Sequence, residues 1–253
     1  MDEKDALKIS REVAKNVRKA ISSISIEERN KTVGMGKDGT PTKLIDKIAE
    51  RAAFEVLNKE DVTIISEEAG VVGEGDVHVA LDPLDGTFNA TRDVPIYSIS
   101  LCFSMSKYLK DVFFGYVYNL ATSTEYYADS FAYRNGKRVK VSDESSLFCN
   151  AIVYYPWSKF PFKRMRVFGS AALELCFVSD SSFDCFIDIR GDKKGMLRVY
   201  DVAAGIYIAK KAGAVVSDEE GRTLNSKKFD MDERFKIVAA NKELHPKLLE
   251  LIP

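Results

Sequence analysis

No glutamine occurs anywhere in the 253 residues, and there are only two histidines, His78 and His245. Thermally labile amide side chains are depleted in heat-adapted proteins, so this absence beside 30% charged residues points toward a thermophile. No run of 18 apolar residues exists and the chain is charged from its second residue, so neither a membrane span nor a secretory signal is expected. Neither sign of charge dominates: the formal net charge of -1 argues against a nucleic-acid partner held by bulk electrostatics and against attraction to a membrane surface. The four cysteines, Cys102, Cys149, Cys176 and Cys185, lie in apolar segments without a CxxC spacing. They form neither a disulfide framework nor a zinc site, and a reducing, cytoplasmic compartment is expected.

The chain is instead rich in apolar residues, at 45%, enough for a sizeable core in one large domain or two intimate ones. Its centre is Leu81-Asp82-Pro83-Leu84-Asp85-Gly86-Thr87-Phe88. The apolar run Val77 to Leu81 reads as a buried strand. Asp-Pro and Asp-Gly are turn formers, so the strand is expected to stop there with both carboxylates at its tip. Rigidly held carboxylates with carbonyls beside them suit a hard cation such as Mg2+. Gly86 permits close backbone approach to a ligand, and Thr87 would open a short helix whose free N–H groups could hold phosphate.

Residues 2–21 carry an apolar helical stripe that includes Val13, Ala14 and Val17, with no chemistry on it. Residues 30–40 contain a literal GxGxxG at Gly34, Gly36 and Gly39, but a polar segment precedes it. The dinucleotide reading therefore fails and a flexible loop is expected. Thr40-Pro41 reads as the N-cap and first position of a helix running to Leu57, with Asp46 in its first turns. Val62 to Ser66 is a β-branched strand, and of the adjacent Glu67 and Glu68 only one can face a given side. Segments 96–103, 112–119 and 124–128 read as antiparallel strands, and Asn135-Gly136 as a hairpin turn. From about residue 140 a second unit begins: a strand at 148–154, a helix opened by Gly169-Ser170 through Val178, a strand at 183–188, a helix with Asp201 near its start, and a last strand and helix. Gly-Ser at a helix start could seat an anion or a polyol.

Asp82-Pro83-Leu84-Asp85-Gly86-Thr87, with Glu67-Glu68 upstream and Tyr200-Asp201-Val202-Ala203-Ala204-Gly205 downstream, resembles the inositol monophosphatase family from about Thr40 to Asn241. Tyr200 stands where that family usually has tryptophan. The resemblance implies a layered αβαβα sandwich of the sugar-phosphatase fold, of α+β or α/β class, with an N-terminal half (1–139) carrying a mobile loop and the metal motifs. A C-terminal half (140–253) would carry the substrate side and the last ligand. It implies a metal set of Glu67, Asp82, the Leu84 carbonyl, Asp85 and Asp201, holding two or three Mg2+ ions, with Mn2+ a possible substitute. Catalytic candidates are Glu67, Thr87, Asp46 and Asp38. Asp46 would orient Thr87 as acceptor of a proton from the attacking water, and Lys37 and Asp38 would ride on the mobile loop. The implied substrate contacts are Asp85, Gly86, Thr87, Gly169, Ser170, Ala171 and Asp188.

The implied substrates are inositol 1-phosphate and fructose 1,6-bisphosphate, and the implied assembly is a homodimer. A distal phosphate needs cations, for which Lys163, Arg164, Arg166, Arg190 and Arg198 are the candidates. Two rival readings are a nucleotidase for 3′-phosphoadenosine 5′-phosphate and a non-catalytic, metal-binding regulator or scaffold. Cys149 and Cys185 could form a redox pair if their strands are neighbours; two plain buried thiols is the simpler reading.

Overall fold

The computed structural model describes residues 1–37, 39–191 and 195–253. Helix α1 (Glu3–Ile21) begins at a reciprocal cap: Asp2 accepts from Lys4 N and Asp5 N, and Asp5 reaches back to Asp2 N. A one-turn helix α2 (Ile26–Arg29) leads into strands β1 (Thr32–Met35) and β2 (Pro41–Lys43), which pair antiparallel. This corrects two expectations. Thr32–Met35 is a strand rather than loop, and Thr40-Pro41 does not start a helix. Pro41 lies in the hairpin, where its missing N–H costs little on a two-stranded ribbon. Helix α3 (Leu44–Leu57) starts three residues later, where Asp46 Oδ2 accepts from Lys43 N at 3.0 Å.

Strands β3 (Val62–Ser66), β4 (Gly70–Val72) and β5 (Val77–Asp85) follow, then a single helical turn α4 (Thr87–Ala90). Next come β6 (Ser98–Ser104), β7 (Val112–Asn119), β8 (Glu125–Ala128), β9 (Ala132–Arg134) and β10 (Lys137–Arg138). They form one eight-stranded sheet in the order β10-β9-β8-β7-β6-β5-β3-β4, with β3 and β5 parallel. Asn135 and Gly136 join β9 to β10 with φ of 48° and 74°, the two positive values that a tight two-residue hairpin demands.

The rest of the chain builds a second layer pair. It comprises β11 (Asn150–Val153), β12 (Arg164–Arg166), α5 (Ala171–Ser179), β13 (Cys185–Asp188), β14 (Leu197–Arg198) and α6 (Val199–Lys211). After these come β15 (Val215–Ser217), β16 (Arg234–Phe235), β17 (Ile237–Ala240) and α7 (His245–Leu249). The second sheet has five strands, ordered β12-β11-β13-β17-β15. Helices α1 and α3 cover one face of the large sheet, α5 and α6 lie between the sheets, and α7 packs on the outer face of the small one. The result is the five-layer αβαβα sandwich.

Position in these layers explains composition. α5 is apolar almost all round because sheets or helices surround it. α6 carries Gly205 against α5, where an added Cβ would come within 2.8 Å of Leu175 Cβ. The largest core cluster runs from Ile65 to Ala239, so both sheets contribute to one interior. Cys149 and Cys185 lie on or beside the neighbouring β11 and β13, both buried as free thiols, and the contact with Cys149 pushes the Cys185 thiol up. His245 is buried against Ser217 at 2.9 Å, a structural role.

Candidate active site

The site is assembled at one end of β5. The strand does not stop at Leu81: it continues through Asp82, Pro83 and Leu84 to Asp85, with its pairing to β6 shifting register between Asp82 and Asp85. The local irregularity is the price of the proline, which removes one ladder donor, and it turns both carboxylates to the interior. Asp82 Oδ1 accepts from Leu84 N at 2.9 Å, so the motif is braced by its own backbone. Asp82 is 3% exposed. Burial pushes its pKa well above the usual carboxylate range, and the charges of Glu67, Asp85 and Asp201 push it further. Thus the structure gathers carboxylates from three stretches of chain around one aspartate.

Asp85, also buried, is held from the other half of the molecule. Its Oδ2 accepts from Ser170 Oγ at 2.7 Å and from Ala172 N at 2.9 Å, at the start of α5. Burial lifts its pKa to about 7 despite those bonds. Glu67 stands just past β3, partly buried. Its neighbour Glu68 is turned elsewhere, accepting from Thr42 Oγ1. Asp201 sits in the first turn of α6 and accepts from Arg198 N at 2.6 Å with Oδ2, so it caps its helix as well as facing Asp82.

Gly86 then turns the chain with φ of 93°, a conformation that L side chains rarely adopt. An added Cβ would lie 3.0 Å from Ile96 O and 3.2 Å from Gly169 O. Gly86→Ala is therefore expected to destabilise the protein by about 1–3 kcal/mol, read as a lowered melting temperature. An unchanged melting temperature would show that this turn relaxes freely.

Thr87 follows. Its hydroxyl donates to Asp46 Oδ1 at 2.7 Å, with Leu84 O next nearest at 3.2 Å. Burial raises the Asp46 pKa to about 6, although the bonds from Thr87 and Lys43 N oppose it. The hydroxyl and the carboxylate come from positions 41 residues apart, carried by α3 and α4.

The remaining candidates divide. Gly169 is exposed, while Ser170 and Ala171 are buried beside Asp85. Asp188 is buried at the end of β13 and engaged by Arg190, whose Nη2 lies 2.6 Å from Oδ2 and whose guanidinium lies 4.0 Å from the Tyr154 ring centre. Arg198 donates to Met231 O at 3.0 Å. Lys163, Arg164 and Arg166 are exposed; Arg164 reaches Asn150 Oδ1 and Arg166 the Met165 carbonyl. Lys37 is exposed, its N–H directed at Glu68 O, and Asp38 lies outside the described residues. Glu174 was missed by sequence reasoning: a lone glutamate on a helix gives no signal, yet it is fully buried.

The donor set suits a hard cation. Asp82 and Asp85 are buried carboxylates with no lysine or arginine at ion-pair distance among the described residues, and no imidazole or thiolate joins them. All-oxygen sites of this kind favour Mg2+ or Mn2+ over Zn2+. Among the described residues no three histidine, cysteine, aspartate or glutamate side chains already stand as a finished metal cage, so the fit rests on donor chemistry and charge.

Sandwich and site together define a phosphatase of the sugar-phosphatase fold. A solved inositol monophosphatase–fructose 1,6-bisphosphatase superposes with a TM-score of 0.85 at 30% identity, over 96% of this chain and 98% of that one. The model of the inositol monophosphatase family matches residues 2–253, and the chain belongs to that family. It is 69% identical, over the full length of both chains, to a fructose-1,6-bisphosphatase/inositol-1-monophosphatase of Archaeoglobus fulgidus. It is also 33% identical to a bifunctional NADP phosphatase/NAD kinase of Methanococcus maripaludis, aligning over 97% of this chain and 49% of that one.

Proposed function

We propose that this phosphatase is Mg2+-dependent and hydrolyses inositol 1-phosphate and the C1 phosphate of fructose 1,6-bisphosphate. The observation that carries the reading is Asp82, buried among the charges of Glu67, Asp85 and Asp201 beside the Thr87–Asp46 pair. Glu67, Asp82, the Leu84 carbonyl, Asp85 and Asp201 would hold the cations. Bound there, Mg2+ supplies charge neutralisation of the phosphate and makes water a stronger acid.

The chain's own residues supply position and proton transfer. Thr87 gives its hydroxyl hydrogen to Asp46, which leaves its oxygen lone pairs open to a water aligned with phosphorus. Asp46, with a pKa near 6, is basic enough at neutral pH to take the proton that Thr87 passes on. Asp188, buried at the end of β13, and the turn at 169–171 would offer hydrogen bonds to ring hydroxyls. Arg190, which pairs with Asp188, is our candidate among the basic residues for a distal phosphate.

The test is phosphate release from inositol 1-phosphate, fructose 1,6-bisphosphate, 3′-phosphoadenosine 5′-phosphate and NADP+, with and without Mg2+. Mg2+-dependent release from the first two is expected, and Thr87→Val is expected to lower kcat by about 10²-fold or more. Preference for NADP+ would move the substrate toward that of the M. maripaludis relative. Release from none of the four would overturn the enzymatic reading in favour of a metal-binding regulator.

A further inference from the structure

Helix α5 lies between two sheets and is apolar throughout its interior except at Glu174, which is 0% exposed. A carboxyl group in such a place is costly unless its oxygens are hydrogen-bonded. Here both are. Oε1 accepts from Phe168 N at 2.5 Å and Gly169 N at 3.3 Å, and Oε2 accepts from Tyr154 OH at 2.6 Å. All three donors lie outside α5, so Glu174 ties the turn before the helix, and β11's end, to the helix itself.

The turn it holds is pinned from its other side too. Asn89 Nδ2 donates to Phe168 O at 2.6 Å and to Ile96 O at 2.7 Å. The next residues along are those that grip Asp85: Ser170 through its hydroxyl and Ala172 through its N–H. Gly169 O also packs where a side chain on Gly86 would stand. The Phe168–Ser170 turn is thus the piece that sets one oxygen of Asp85, and Glu174 is what fixes the turn.

We infer that Glu174 is a positioning residue for Asp85: it holds the 168–170 turn by accepting the Phe168 and Gly169 N–H groups, and thereby sets the cation affinity of the site. The inference rests on the proposed assignment of Asp85 to that site. Its requirement is acceptor geometry rather than charge. Glutamine reaches the same N–H groups with its carbonyl oxygen, and the Tyr154 hydroxyl can turn to accept from its amide. Aspartate keeps the charge but is one methylene too short.

The test uses the full chain. Hydrogen exchange at the Phe168 and Gly169 amides is measured in metal-free protein, and Mn2+ binding is titrated by electron paramagnetic resonance, for wild type, Glu174→Gln, Glu174→Asp, Glu174→Leu and Asp85→Asn. Glu174→Gln is expected to match wild type in both readouts. Glu174→Leu is expected to lose protection at both amides and to weaken Mn2+ binding by about 10- to 100-fold, the usual effect of removing a group that orients a ligand. Glu174→Asp falls between, and it carries the test if the leucine variant does not fold. Aspartate equal to or better than glutamine would overturn the inference, as would wild-type Mn2+ affinity in both the leucine and aspartate variants while Asp85→Asn loses it. Undiminished binding by Asp85→Asn would sink the site assignment beneath it.

Discussion

Asp82→Asn abolishes Mg2+-dependent phosphate release while raising the melting temperature of the metal-free protein. Both halves of this expected result come from the same surroundings. Asp82 is buried among the charges of Glu67, Asp85 and Asp201, so without a cation its ionised form is held against desolvation and repulsion. Asparagine is the same size and keeps an oxygen to accept from Leu84 N, so the brace across the motif survives. What it loses is the negative charge that would help hold a cation there. Metal-assisted stabilisation of a phosphoryl transition state is worth several kcal/mol, so a fall on the order of 10³-fold or more in kcat/KM follows. Calorimetry in EDTA beside an activity assay in Mg2+ reads both halves. A variant that stays active, or one whose metal-free form melts lower than wild type, contradicts the assignment of Asp82.

The second large effect is in pH. Burial raises the carboxyl groups of Asp46, Asp85 and Glu174 to about 6, 7 and 7, and that of Asp82 well above its usual value. For a carboxyl whose folded pKa exceeds its unfolded value, the folded state binds more protons between the two. For Asp46 the stabilisation is therefore complete below 3.8 and disappears as pH rises through about 6; for Asp85 and Glu174 it disappears through about 7. The metal-free protein is expected to lose thermal stability steadily from pH 4 to pH 7. Saturating Mg2+ should restore it, and by much more at pH 7.5 than at pH 5, because the cation binds the ionised carboxylates. Melting curves at four pH values, with EDTA or with Mg2+, decide the matter. A metal-free protein that gains stability toward neutrality would show that these carboxyl groups are already ionised and compensated.

The carboxylates were legible in the sequence because Asp82, Asp85 and Thr87 sit within one turn-forming stretch, and the alternation at Glu67-Glu68 assigns one side chain to each direction. The structure sends Glu68 to Thr42. The helix and strand periods gave most elements to within a few residues, including the Asn135-Gly136 turn. Local rules misled where pairing overrode them. Asp-Pro suggested the end of a strand, yet the ladder with β6 resumes at Asp85↔Ser98. Thr40-Pro41 suggested a helix cap, yet those residues close a hairpin, and the cap falls to Asp46 instead. Contacts between distant stretches were out of reach of any local rule. Nothing in the sequence of α5 says that Ser170 and Ala172 will grip Asp85, or that Glu174 points inward. A single glutamate on a helix reads as solvated until the layers around it are known.

The grip on Asp85 has a mechanical meaning. Asp85 belongs to the eight-stranded sheet, whereas Ser170 and Ala172 open the helix that lies between that sheet and the five-stranded one. The site is therefore a gauge of the spacing between layers. A sideways slip too small to break any strand ladder would still part the carboxylate from its donors. On heating, catalytic competence should fade while the far-ultraviolet signature of helix and sheet is still intact. The working temperature of such a protein is set by how stiffly its layers are stacked rather than by when its strands come apart.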